Sequence, residues 1–465
     1  MGAWHSDPVY PDAPVVDTKY GKLIGRRMVE EKGREADAYQ GIPYAAPPVG
    51  DLRFRKPQPP DSWQGVRKAQ QWPNRGMQMQ FPYPDYPRHI VKESEDNLYL
   101  NVFCPGWDSP PGGFPVIVYI HGGSFQLDGT ATYGDIGICK YLVSREGCVV
   151  VTIQYRLGLL GFWTVGDESA CPNNLAFWDQ TQALRWVQEN IEGFGGNKNN
   201  VTLLGQSAGG VSTDCISISP VARGLFHKVG PLAGNAYCPW ANTKNMKERC
   251  EEFARKLGIE WSSPHDMIEK LRAVPAEKMF LDYYYIGEHI DSDFSCTPTY
   301  EGEFLPKPRH VWSDRWMNVP ALRLVHQWAE VNEGKANTYL FNYEHFNAWQ
   351  FGWRKYLMTV QESTHSNEIG YLLGKGVINA FKFTDDDIRM TEMTTKAFAN
   401  FAKYGDPNGP DNDLPSRWEP ITKEHPERHF VFRLRPRSEE EWFEGRPTEI
   451  IRLHEKYPGV ERWEL

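Results

Sequence analysis

The chain has 465 residues, 40 % of them hydrophobic, with 60 acidic against 51 basic side chains and a formal net charge of −9. That balance, with no concentrated basic block, excludes nucleic acid as the expected partner. The longest apolar runs, residues 116–120 and 148–153, suit buried strands and fall far short of a membrane span, so no transmembrane segment is expected. One domain over residues 1–465 is expected, preceded by a flexible tail over residues 1–14. That tail lacks the charged start and apolar centre of a secretory signal. The eight cysteines are scattered without a C-x-x-C pair, so no metal or dithiol site is expected and a reducing, cytoplasmic setting is. Residues 1–6 (MGAWHS) fit the myristoylation pattern M-G-x-x-x-[ST], which makes Gly2 a lipidation candidate for weak membrane association. No polybasic second signal follows it.

In chain order, residues 19–26 read as a short strand or hairpin. Residues 39–57 are so rich in Pro and Gly that a long irregular loop is expected, and residues 70–92 look like a polar excursion near a site entrance. Residues 95–105 alternate Leu98, Leu100 and Val102, a strand signature. Residues 115–120 form a continuous apolar strand ending in His121-Gly122-Gly123-Ser124-Phe125. A glycine pair past the end of a buried strand exposes amides there, so Gly123 and Ser124 are candidate oxyanion donors. Residues 147–156 are another buried strand, and residues 174–190 carry the period of an amphipathic helix.

Residues 201–211 read VTLLGQSAGGV. This is G-x-S-x-G between a strand and a helix-compatible run. The motif demands a turn too tight for ordinary side chains, with Gly205 and Gly209 flanking Ser207. It pushes the hydroxyl out of the sheet and sets the amide of Ala208 beside it as a third oxyanion donor. Strand, helix, strand, elbow and helix alternate, which predicts an α/β class with a mostly parallel, doubly wound sheet. Residues 244–257 and 265–274 are predicted helices of a cap, followed by an irregular stretch over 283–307. Phe125, Phe162, Phe177 and Trp178 could line an acyl pocket, although core packing is the simpler role.

GIPYAAPPVG, SEDNLYLNVF, VIVYIHGGSF, YRLGLLGF, VTLLGQSAGG, THSNEIGYLLG and FANFAKYGDPN follow one another in an order that resembles the type-B carboxylesterase, or cholinesterase-like, family of α/β hydrolases. The resemblance implies hydrolysis of a carboxylic ester through an acyl-serine intermediate on Ser207, with His365 as the base and no cofactor. It marks Glu368 as a loop support outside the triad.

The triad acid is the departure. The family carries it after a strand resembling the run that begins Asn318-Val319-Pro320, but here residues 321–330 continue as a helix into NTYLFNY. A strand with its acid is therefore expected to be missing after Pro320. Glu333 precedes its strand and falls at the wrong sheet edge. Glu344 follows the strand at the right edge, a substitute weighed against an ordinary solvated carboxylate. Met77 or Met79 and Asn97 stand where the family has an early disulfide. Residues 78–95 lack the tryptophan that binds choline in the cholinesterase-type members, and Gln206 replaces a glutamate. Small neutral esters are the expected substrates. The alternative is a catalytically dead binding or scaffold protein on the same fold.

Overall fold

The structure, a computed structural model, describes residues 10–31, 33–78, 91–241, 245–281, 297–299, 302–305, 318–332, 335–350, 363, 365–375 and 382–456. Its strands are β1 (Asp12–Thr18), β2 (Gly21–Glu31), β3 (Arg34–Pro43), β4 (Val66–Lys68), β5 (Arg75–Gly76), β6 (Glu93–Ser94), β7 (Tyr99–Pro105), β8 (Phe114–Ile120), β9 (Val149–Ile153), β10 (Gly196–Gln206), β11 (Lys228–Leu232), β12 (Phe341–Tyr343), β13 (His429–Phe432) and β14 (Arg437–Glu439). The helices are α1 (Thr130–Tyr133), α2 (Gly158–Phe162), α3 (Leu175–Asn190), α4 (Ala208–Ile218), α5 (Met246–Lys256), α6 (Pro264–Arg272), α7 (Lys278–Leu281), α8 (Asn318–Asn332), α9 (Asn367–Leu372), α10 (Asp385–Tyr404) and α11 (Arg446–Lys456).

The main sheet runs β1-β2-β3-β7-β9-β8-β10-β11, with β4 joined to β2. Only its β9-β8-β10-β11 half and the β2–β4 pair are parallel. The contacts from β1 to β3, and those of β7 with β3 and β9, are antiparallel. The expectation of a mostly parallel sheet is corrected to a mixed one. The cause is local: short turns such as the one joining β1 to β2 suit antiparallel pairs, whereas parallel neighbours need helical crossovers.

Central strands are buried on both faces, as their β-branched runs imply. Along β8, Val116, Val118 and Ile120 pack into one core with α3 and α4, while Ile117 and Tyr119 pack into another with α9 and α10. Helices therefore cover both faces, as a doubly wound sheet requires. The aromatic quartet Phe125, Phe162, Phe177 and Trp178 lies in the first core, at most 5 % exposed. The helix expected to be amphipathic, α3, is buried nearly all round. Some of its polar groups find partners inside, although Gln180 Oε1 and Thr181 Oγ1 do not among the described residues. Asp179 accepts from Arg156 Nε at 2.8 Å and Nη2 at 2.6 Å, and Gln180 donates to Ser212 at 3.1 Å.

Three other boundaries differ from expectation. Residues 39–43, expected as loop, complete β3, because they go on pairing with β7 across a register shift between Tyr39 and Ile42. Asp12 opens β1, so the expected tail is shorter; residues 1–9, including Gly2, lie outside the described residues. Asn318-Val319-Pro320 is the first turn of α8, not a strand. A proline is tolerated in that turn because the early amides have no intrahelical partner. The main sheet ends at β11, whose first four residues are only half-buried. Beyond it β12, β13 and β14 form a separate three-stranded sheet. Among the described residues, no strand joins the two.

Candidate functional site

Strand β10 delivers Ser207 to the sheet edge. There φ is 57° and ψ −122°, a strained conformation for a residue with a Cβ that costs about 1–3 kcal/mol and is kept only where its surroundings enforce it. The surroundings do so. A Cβ on Gly209 would collide with the carbonyl oxygen of Ile120, and one on Gly205 with that of Gly209. The Ser207 amide donates to Leu232 O at 2.9 Å, and a Cβ on Gly234 would strike the Ser207 carbonyl. The turn after β11 thus braces the elbow from behind. The sequence reading missed this contact; the small residues of LAGNA were its only trace.

The loop after β8 lies against the same point. A Cβ on Gly122 would sit 2.7 Å from Gln206 O and 3.1 Å from Ser207 Cβ. Gly123 and Ser124 take positive φ values of 97° and 55°. Ala208 is the first residue of α4, where amides lack intrahelical acceptors. Gly122 thus lies against Ser207, with Gly123 and Ser124 following it along the loop and Ala208 next to Ser207 in the chain. Beneath them His121 is 1 % exposed, stacks on Tyr155 with centroids 4.4 Å apart, and is held below the ordinary imidazole pKa by burial.

His365 arrives just ahead of α9. Its Nε2 is 2.9 Å from Ser207 Oγ. The residue reaches the surface, yet the protein crowded around its ring pushes the imidazole pKa below 6.5, with no neighbouring charge contributing. Ser366, in the left-handed region at φ 75°, caps α9. Its hydroxyl accepts from Gln206 Nε2 at 2.8 Å, a contact the sequence reading did not foresee. Glu368 is buried in α9, and burial raises its carboxyl from 4.5 to about 7.

Glu344 is not brought to the site. It pairs with Arg433 at 3.3 Å on the small sheet, with 43 % of its side chain exposed. Its surface ion pair makes it the solvated carboxylate of the simpler alternative. Glu333 and Met79 lie outside the described residues, as does most of 78–95. Met77 and Asn97 line one small cavity, and Asn97 Nδ2 donates to Tyr155 O. Among the described residues, no carboxylate lies within hydrogen-bond distance of His365. Nor is any group of three His, Cys, Asp or Glu placed to hold a metal ion, and no helix is long and apolar enough to cross a membrane.

A serine raised on a strained turn, an imidazole at hydrogen-bond distance and free amides at a helix start can support nucleophilic acyl transfer. Residues 12–315 and 309–446 match the model of the carboxylesterase family. The two stretches meet just before α8. The chain is 31 % identical over 485 aligned positions to esterase cest-33 of Caenorhabditis elegans, covering 85 % of this chain and 86 % of that protein. It is 35 % identical over 329 positions to liver carboxylesterase 1 of Oryctolagus cuniculus, covering 67 % of this chain and 57 % of that one. Over 318 positions it is 36 % identical to the medium-chain fatty acyl-CoA hydrolase precursor of Anas platyrhynchos, covering 66 % and 55 %. The match thus spans little more than half the length of these two vertebrate relatives.

Proposed function

The chain belongs to the carboxylesterase family, whose members hydrolyse carboxylic esters, and we propose that it does so through an acyl-serine intermediate on Ser207. In this reading His365 Nε2 takes the hydroxyl proton as Ser207 Oγ attacks the ester carbonyl carbon. The carbonyl oxygen becomes an oxyanion facing the amides of Gly123, Ser124 and Ala208. The bond to the leaving oxygen breaks, His365 returns the proton to that oxygen, and the alcohol departs. Water then repeats the sequence: His365 accepts its proton, hydroxide adds to the acyl carbon, and Ser207 leaves with the proton as the acid is released. One observation carries the reading: the 2.9 Å contact of His365 Nε2 with Ser207 Oγ at a strained elbow.

Among the described residues no carboxylate partners His365, and slow turnover is part of the proposal. Losing the acid from a comparable triad costs about ten-thousand-fold in kcat. The missing strand and acid are proposed to have been lost near α8, where the family match divides into two stretches that overlap over residues 309–315. Small neutral esters are the proposed substrates, because Gln206 leaves the residue beside the nucleophile uncharged. The chain is proposed to act as one unit in the cytoplasm. The scatter of the eight cysteines along the chain, with no C-x-x-C pair, supports a reducing setting. Myristoylation of Gly2 is the route to weak membrane association, and intact-mass measurement of native protein tests it.

The main test is hydrolysis of p-nitrophenyl acetate together with labelling by an organophosphate probe. Slow turnover and stoichiometric labelling are expected, both lost in Ser207→Ala. A chain that neither turns over nor labels is a binding protein on this fold instead.

A further inference from the structure

A neutral amide stands behind the nucleophile, touching the loop that carries the base. Gln206, the last residue of β10, is 3 % exposed. Its Nε2 donates to Ser366 Oγ at 2.8 Å and lies 3.4 Å from His365 Nε2. That same ring nitrogen is the one 2.9 Å from Ser207 Oγ. A Cβ on Gly122 would sit 3.0 Å from Gln206 Oε1, so the amide fills the space between the oxyanion loop and the histidine loop.

The other groups around the imidazole come from three elements, and one of them is an acid. From β10 come Gln206 and Ser207. From α9 comes Glu368, whose buried carboxyl also hydrogen-bonds Gln206. From the loop after β8 comes His121, whose pKa burial depresses. Burial alone lowers the pKa of His365.

We propose that Gln206 is a positioning residue that clamps Ser366 so that His365 faces Ser207, doing by a neutral contact part of what a carboxylate on the far ring nitrogen does in a complete triad. The proposal rests on the esterase reading of Ser207 and His365. The physics has two parts. The clamp fixes the loop at its left-handed residue, next to the histidine, where a small rotation would swing the ring away. An N–H donor beside the Nε2 lone pair also favours the uncharged ring, the form able to accept a proton. A carboxylate at this position would do the reverse and hold the imidazolium.

The experiment compares wild type with Gln206→Glu and Gln206→Ala. The His365 Cε1–H resonance, assigned by its loss in His365→Asn, is titrated by NMR. The pH dependence of kcat/KM is measured with p-nitrophenyl acetate. In Gln206→Glu the His365 midpoint is expected to rise by roughly one to three pH units, and the acid limb of the rate profile with it. In Gln206→Ala kcat is expected to fall roughly 10- to 100-fold, as for a misplaced catalytic group, while KM holds. An unmoved His365 midpoint in Gln206→Glu, or a kcat within about twofold of wild type in Gln206→Ala, overturns the proposal. Failure of the esterase reading looks different: wild type then shows neither turnover nor labelling. The NMR titration still decides the proposal in that case.

Discussion

His365 Nε2 and Ser207 Oγ lie 2.9 Å apart although 158 residues separate them in sequence. Nothing local could produce this contact. It exists because β10 stops at the sheet edge, α4 begins there, and the chain returns to place the start of α9 above the turn. The depressed pKa of His365 gives the contact a direction. A lowered pKa favours the uncharged ring, the form that the proposed proton transfer from Ser207 requires.

Replacing Ser207 by Ala is therefore expected to remove covalent labelling altogether and to reduce kcat by roughly a hundred-fold, the share of a triad's effect that remains once the acid is gone, without altering the circular dichroism spectrum. His365→Ala should match it to within about tenfold, since the two groups act as a unit. The kcat/KM profile of wild type should rise with pH through a midpoint below 6.5, the ordinary imidazole value, and stay level through neutrality. A midpoint above that value would show the ring to be held charged.

The elbow stores strain that its neighbours must contain. A methyl on Gly209 has nowhere to go, because it meets the carbonyl oxygens of Ile120 and His121. Gly209→Ala is expected to cost about 1–3 kcal/mol, the range for overpacking a close contact. It should also push α4 away from β8 and take the Ala208 amide with it. Loss of labelling rate beyond the loss of thermal stability is the expected outcome, read from probe kinetics on the fraction that remains folded.

The parts of this site written in contiguous residues were legible in the sequence. The strand, glycines and helix around Ser207 all lie within residues 201–211, so their steric demands follow from composition alone. His365 was legible only through its flanking motif, since a lone histidine carries no such signal. What depended on packing was misread. Asn318, Val319 and Pro320 resembled the start of a family strand, but the segment packs as a helix, with Leu322 and Val325 buried. The polar face of α3 looked solvated, yet Asp179 is neutralised by Arg156 inside the core. The double contact of Gln206 depends on where a distant loop comes to rest, and no spacing rule encodes that.

Glu344 supplies a negative control. Its partner is Arg433, both side chains are partly exposed, and it makes no contact with His365. Surface pairs of this kind contribute about 0–1 kcal/mol. Glu344→Gln is accordingly expected to keep kcat within about twofold of wild type. A fall near the ten-thousand-fold seen when a true triad acid is lost would make Glu344 that acid after all.

Glu368 should leave a mark on stability rather than on chemistry. It is 8 % exposed, its Oε1 has no hydrogen-bond partner among the described residues, and burial lifts its pKa from 4.5 to about 7. Between those values the folded chain holds a proton that the unfolded chain has released. Stability must therefore fall as pH rises across that window, and level off above it. The penalty, roughly 3 kcal/mol at most for a shift of this size, is absent when the side chain cannot ionise. Glu368→Gln keeps the shape and removes the charge. Urea denaturation at pH 5 and pH 8 should show the variant gaining on wild type as pH rises. Equal pH slopes for the two proteins would mean that the carboxyl ionises as freely in the folded chain as in water.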